Sequence, residues 1–176
     1  EIYDKKIFEL GIPILGICYG SQLMAYTLGG EVKTAPVSET GHTEISLDKS
    51  SALFAGVEDK TSVWMSHSDY IANAPAGFKI TAHSSVCPVA AMEDASRKLY
   101  ATQFHPEVMH TERGKEMISK FVYKVCGCKG DWTMDSFVET KIREIRETVG
   151  NGKVLCALSG GVDSSVAAVL MSKAVS

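Results

Sequence analysis

The spacing of apolar positions changes several times along the chain, and each change marks an element. Ile14-Leu15-Gly16-Ile17 is a short unbroken apolar run, the pattern of a strand covered on both faces. Ser21 to Leu28 then carries helix-forming residues and stops at Gly29-Gly30. Upstream, Ile2 to Leu10 reads as a helix, separated from the strand by Gly11-Ile12-Pro13. From Glu31 to Glu107 the rhythm shortens to alternating or β-branched segments between turn residues. This predicts strands at Glu31 to Thr34, Thr43 to Leu47, Ser62 to Met65, Lys79 to His83, Val89 to Glu93 and Leu99 to Gln103. Thr111 to Cys126 returns to helical spacing, with Met117, Ile118, Phe121, Val122 and Val125 on one face.

Two glycines in Cys126-Gly127-Cys128-Lys129-Gly130-Asp131 interrupt that helix, and this segment is the best place for a domain boundary. A further helix is predicted from Met134 to Val149, with Ser136 and Glu139 in S-x-x-E spacing near its start and Gly150 at its end. Phe137, Ile142, Ile145 and Val149 give it one apolar face; Lys141, Arg143, Glu144, Arg146 and Glu147 keep the other in water. Val154 to Leu158 reads as another buried strand, followed by a glycine turn and a helix from Ser164. Strands alternating with helices in this way make the chain an α/β protein.

Composition narrows the function classes. The 176 residues, 45% hydrophobic and 22% charged, suit one or slightly more than one folded domain with a real core. A formal charge of -3 gives no net pull toward nucleic acid or an anionic membrane. No run approaches the roughly 20 apolar residues of a membrane span, and the first residues lack the apolar segment of a secretory signal. A cytoplasmic setting is therefore expected. Five cysteines (18, 87, 126, 128, 156) and five histidines show neither a disulfide framework nor metal-ligand spacing, so no metal site is expected. The chain opens without Met and closes inside an apolar helix, and it is expected to be an excerpt of a longer polypeptide.

Chemistry concentrates at two turns. Gly16-Ile17-Cys18-Tyr19-Gly20-Ser21-Gln22 sets a thiol where a buried strand bends into a helix, the form of a nucleophile elbow. A helix N-terminus beneath Cys18 would favour thiolate, and the Tyr19 N–H would face a developing oxyanion. A buried, inert cysteine is the competing reading. Farther along, Phe104-His105-Pro106-Glu107 follows a predicted strand. A thiol nucleophile needs a proton-transferring base and that base an orienting carboxylate, roles that His105 and Glu107 could fill. Read alone, they are a loop histidine and a helix-start acid.

The pairing of G-x-C-x-G-x-Q with a downstream H-P-E resembles the class I, or triad, glutamine amidotransferases, over about residues 1 to 127. The resemblance implies an open α/β sheet with flanking helices, lacking its N-terminal part. It implies Cys18 as nucleophile toward the side-chain amide of glutamine, His105 as general acid/base, Glu107 as its orienter and Gln22 as a glutamine-binding position. Met65-Ser66-His67-Ser68-Asp69 resembles the family segment beside bound glutamine, with Ser66 and Ser68 as contacts and His67 and Asp69 as structural residues. The family's glycine-rich loop with its second oxyanion donor would precede residue 1, so the excerpt alone is expected to be incomplete for activity.

The second turn, Ser159-Gly160-Gly161-Val162-Asp163-Ser164-Ser165, lies between a predicted strand and a helix, where backbone N–H groups and the helix dipole converge on an anion. It is not a Walker loop, since no G-K-[ST] closes it. It is similar to the S-G-G-x-D-S loop of ATP pyrophosphatases, which implies that Ser159, Gly160, Gly161, Asp163, Ser164 and Ser165 hold the pyrophosphate end of ATP with Mg²⁺ nearby. A plain flexible connection is the alternative. The order of the two motifs resembles the family of glutamine-hydrolysing synthetases that aminate XMP to GMP. That resemblance implies three parts: a glutaminase domain over 1–127, a linker and connecting helix over 128–150, and the start of an α/β synthetase domain over 151–176. It implies glutamine, ATP and XMP as substrates, the XMP site outside this chain, and a homo-oligomeric whole. A standalone γ-glutamyl hydrolase and a catalytically degenerate glutamine-binding module remain the competing readings.

Overall fold

The computed structural model describes residues 3–131 and 133–175. Ile2, where the expected N-terminal helix begins, lies outside the described residues, as do the outermost residues of the two expected terminal domains. The chain forms two compact units, Glu1–Cys128 and Lys129–Ser176.

In the first unit the N-terminal segment is a 3-10 turn, Lys5–Glu9, rather than a full α-helix, with the Asp4 carboxylate accepting from the Lys6 N–H. Gly11 at positive φ and Pro13 then end any helical continuation. Strand β1 (Ile14–Ile17) leads into helix α1 (Tyr19–Thr27), and β2 (Glu31–Leu47), β3 (Lys60–Asn73), β4 (Lys79–His83), β5 (Ala91–Asp94) and β6 (Leu99–Thr102) complete a mixed sheet. Its order is β1-β6-β5-β4-β2-β3, with β1 parallel to β6 and the other neighbours antiparallel. The two segments expected at Glu31 to Thr34 and Thr43 to Leu47 are one 17-residue strand. Pro36 does not end it, because the β2/β3 register shifts between Thr34 and Glu39 and accommodates a residue without an N–H there. Likewise, the expected Ser62 to Met65 strand extends to Asn73.

Side-chain alternation divides the core between the two faces of the sheet. Leu99 and Ala101 of β6 join Met24 and Ala25 of α1, while Tyr100 between them packs with Phe54, Phe104 and Met117. Helix α2 (Gly114–Lys120) supplies Met117 and continues as a π-helical turn, Phe121–Val125. It starts three residues later than the expected Thr111, which is occupied in the loop before it.

The second unit contains α3 (Met134–Val149) and α4 (Val162–Ala174). The cap of α3 is Thr133 rather than Ser136. The Thr133 hydroxyl accepts from the Ser136 N–H and the Ser136 hydroxyl from the Thr133 N–H, so Ser136 fills the reciprocal place expected of Glu139. Arg146 of α3 donates to the Lys173 and Ala174 carbonyls at the end of α4. The expected strand at Val154 to Leu158 does not form: it pairs with nothing among the described residues, and Leu155 is 98% exposed. A strand meant for burial on both faces needs neighbours for its ladder, and the described residues of this unit provide none.

Candidate active site

The turn from β1 into α1 forces Cys18 to φ 50 and ψ -107, a conformation costing a non-glycine residue on the order of 1–3 kcal/mol. Hydrogen bonds on both sides hold it. The Cys18 N–H donates to the Thr102 carbonyl at the end of β6 (2.8 Å), prolonging the parallel ladder. Its carbonyl accepts from the N–H groups of Ser21 and Gln22 and from the Ser21 hydroxyl. Gly16 is required here, since a Cβ would lie 2.7 Å from the Gly20 carbonyl oxygen. Gly20 is not required in the same way, because a Cβ there meets nothing within 4 Å.

The Cys18 sulfur faces β3 and the end of β6. Its thiol donates to the Ser66 carbonyl (3.7 Å) and Gln103 Nε2 approaches it at 3.9 Å. Burial pushes the thiol above its ordinary range; the Tyr19 N–H pulls it down, the Glu107 charge pushes it up, and the Gln103 amide pulls it down. The expected thiolate preference at the helix start is therefore reversed. Desolvation of a partly enclosed sulfur outweighs one N–H dipole, and Glu107 adds negative charge. Reactivity here requires a base to remove the proton.

The candidate base, His105, stands in the loop after β6. Thr102 Oγ1 donates to the Phe104 carbonyl and bends the strand end. The His105 N–H then donates to the Trp64 carbonyl of β3 (3.0 Å). Buried Thr111 ties the loop to the sheet, its hydroxyl donating to the His105 carbonyl (2.6 Å) and accepting from the Trp64 N–H (2.9 Å). Gly114 lets α2 pack under Pro106, whose carbonyl oxygen would be 2.2 Å from a Cβ. On this support His105 Nδ1 lies 2.7 Å from Glu107 Oε1. Glu107 is close enough for its charge to act on Cys18. No hydrogen bond joins Cys18 to His105 among the described residues; the sulfur points at Ser66 instead.

Gln22 lies in the same cluster. Its Nε2 donates to the Asp69 carbonyl (2.6 Å) and to Gln103 Oε1 (3.2 Å). Ser66 presents its carbonyl to Cys18, and the Ser68 hydroxyl pairs with that of Ser38 at 3.0 Å. Gln103 and Thr111 are site residues that sequence reading missed. The available signal was a polar glutamine directly before Phe104-His105, and only the structure shows it fully buried after the end of β6. The reading from spacing also did not anticipate that Glu39, His67 and Cys87 come together, because they belong to β2, β3 and the loop before β5.

In the second unit Ser159, Gly160 and Gly161 form the turn before α4, Gly160 has φ +81, and Gly161 is the N-cap. The hydroxyls of Ser164 and Ser165 both donate to the Gly161 carbonyl, and Ser159 donates to Ser164. Asp163 stands in the first turn of α4. No helix of the described residues is long and apolar enough to cross a membrane.

Known proteins carry the same frame. The chain is 67% identical over 172 residues to the GMP synthase [glutamine-hydrolyzing] of Clostridium botulinum (strain Alaska E43), with 98% of this chain and 34% of that protein covered. It is 62% identical to the enzyme of the same description from Clostridium perfringens (strain 13), again over 98% of this chain and 34% of the relative. The chain thus spans about a third of the length of the curated relatives it matches. Among solved structures, a GMP synthase subunit from Thermoplasma acidophilum superposes with TM-score 0.66 at 36% identity, covering 78% of this chain and 64% of that one. A glutamine amidotransferase from Thermotoga maritima shares the fold, with TM-score 0.54 at 23% identity over 97% of this chain and 64% of its own. The family model for glutamine amidotransferase class-I matches residues 2–125, the stretch that holds the elbow, the β6 loop and the sheet between them. On that match the chain belongs to the class I glutamine amidotransferases.

Proposed function

We propose that this chain is the glutaminase region, with the first part of the synthetase region, of a glutamine-hydrolysing GMP synthase. In this reading Cys18 attacks the side-chain amide carbon of glutamine, giving its proton to Nε2 of His105 while Glu107 holds Nδ1. The Tyr19 N–H receives the oxyanion. Collapse of the tetrahedral adduct breaks the C–N bond, and His105 returns the proton to the leaving nitrogen, so that ammonia departs. Water then cleaves the thioester through the same imidazole, releasing glutamate and restoring the thiol. Gln22, Ser66 and Ser68 border the glutamine; Gln22 also keeps Gln103 beside the sulfur. The ammonia aminates XMP after ATP has adenylated it, in the remainder of the synthetase. Ser159, Gly160, Gly161, Asp163, Ser164 and Ser165 would hold the ATP pyrophosphate, with Mg²⁺ neutralising its charge. The division is 1–127 for the glutaminase, 128–150 for the connection and 151–176 for the synthetase portion.

The observation that carries the reading is the convergence on one elbow of a strained cysteine, an N–H on its sulfur and the charge of the carboxylate that holds His105. In a full-length protein carrying this sequence, Cys18→Ala is expected to abolish glutamine-dependent ammonia release and GMP formation, while GMP formation from added ammonia continues. Glu107→Gln should lower kcat less severely, by roughly a hundredfold less than loss of the nucleophile. Undiminished glutaminase activity in Cys18→Ala would falsify the assignment.

A further inference from the structure

Behind the strand that carries Ser66 and Ser68, three groups of metal-ligand type meet in the core. The carboxylate of Glu39, a ring nitrogen of His67 and the sulfur of Cys87 all lie within 4.8 Å of one another. Each comes from a fixed position. Glu39 follows the register shift in β2, His67 pairs with it across the β2/β3 ladder, and Cys87 is locked in a turn by its N–H on Ser84 Oγ and its carbonyl on the Ser84 N–H.

Their surroundings leave them poorly satisfied. His67 Nε2 lies 3.0 Å from Glu39 Oε2, but Nδ1 of this side chain, only 3% exposed, has no hydrogen-bond partner among the described residues. An unpaired buried nitrogen costs about 1–3 kcal/mol. The Glu39 side chain is itself only 12% exposed, and no Lys or Arg pairs with it among the described residues; its other contact is a 3.4 Å hydrogen bond from Ser84. Cys87 is fully buried. A cavity of about 210 Å³, bordered by Pro36, Val37, Glu39, His67 and Val86, opens on one side.

We propose that Glu39, His67 and Cys87 form a binding site for a divalent cation of borderline softness, of the Zn²⁺ type. One thiolate, one imidazole and one carboxylate are the mixed donors such an ion takes. A tetrahedral ion with donors at about 2.0–2.3 Å spaces them by about 3.3–3.7 Å, so closure requires movements of roughly an ångström. Two anionic ligands and a neutral imidazole cancel the charge of the ion, which makes its burial tolerable. On binding, the Cys87 proton leaves to solvent and the sulfur's lone pair goes to the ion. The fourth position falls to a water or small ligand in the cavity. The site uses none of Cys18, His105 and Glu107 and does not depend on the glutaminase reading.

Cobalt(II) titration of the metal-free chain tests this. A 1:1 complex with a thiolate-to-cobalt charge-transfer band is expected, displaced by Zn²⁺. The band should vanish in Cys87→Ser and persist in the double variant Cys126→Ser/Cys128→Ser and in Cys18→Ala. Glu39→Gln, which keeps the hydrogen bond to His67, should weaken Co²⁺ binding roughly tenfold or more. Zinc-edge X-ray absorption on the unsubstituted chain covers the case in which Cys87→Ser does not fold; it should show one sulfur with nitrogen or oxygen donors. A sulfur-free shell, two sulfurs, retention of the band in Cys87→Ser, or its loss in the Cys126/Cys128 variant overturns the proposal.

Discussion

The chain contains two strand-like segments that pass through glycines into a helix, and they end differently. At Cys18 the turn is clasped by β6 on one side and α1 on the other, β3 brings the Ser66 carbonyl and the end of β6 the Gln103 amide to the sulfur, and the Glu107 charge acts on it. At Ser159 to Ser165 the turn is largely exposed, and among the described residues its preceding segment has no strand partner and its hydroxyls bond within the turn. The lesson is that a local motif supplies a backbone shape, whereas side-chain chemistry at its tip depends on what the rest of the sheet delivers. An anion cradle can work with backbone N–H groups; a proton-relay site cannot.

Substitutions can break that contrast, and the largest effect belongs to Gly16→Ala. The new methyl would sit 2.7–3.0 Å from backbone atoms of Gly20 and Ser21, which cannot yield as a flexible side chain would. A loss of about 1–3 kcal/mol in chemical unfolding of the Glu1–Cys128 unit is expected, together with loss of glutaminase activity in the full-length protein. Gly160→Ala at the other turn meets nothing within 4 Å, so only its left-handed φ matters, at about 1 kcal/mol. Equal costs at the two positions would erase the distinction.

Thr111→Val tests the support rather than the turn. The isosteric change strips the Trp64 N–H and the His105 carbonyl of one partner each, so about 1–3 kcal/mol of stability should go. Glutamine turnover should fall in kcat more than in KM, because the imidazole is misaligned while the glutamine contacts remain. Wild-type kcat in this variant would show that the loop holds itself.

The smallest effect is a displacement in pH. Since burial raises the Cys18 thiol above its reference of 9.0, thiolate at Cys18 becomes dominant only at pH above that value in the absence of glutamine. Iodoacetamide labelling resolved by peptide mapping should show Cys18 reactivity still climbing beyond about pH 9, with buried Cys87 labelled slowest of the five. A Cys18 midpoint near neutral pH would instead mean a pre-formed thiolate, and His105 would have no proton to accept in the first step.

Much of the frame is legible in the order of residues because it depends on local physics. Ile14–Ile17 and Met134–Val149 form where the apolar spacing predicts them, and Gly29-Gly30 and Gly150 lie at the expected helix ends. The sequence was less informative where a partner overrides a breaker. Pro36 looks like a strand end, yet it rides inside β2 because β3 shifts register opposite it. Val154 to Leu158 looks like a strand, yet it has no ladder partner among the described residues of its unit.

The same division holds for the site. Cys18 is marked as a candidate by its glycine spacing, a local feature, whereas His105 and Glu107 become candidates only when read beside it. Gln103 beside the sulfur, Thr111 under the His105 loop and Cys87 beside Glu39 and His67 are joined only through the folded sheet. The sequence by itself determined which elements exist and which residues can do chemistry, because propensity, periodicity and turn geometry act over a few residues. Tertiary structure alone decided which of those groups stand near one another, and so raised the Cys18 thiol above its ordinary range. Desolvation and charge act through space, between strands that lie far apart along the chain.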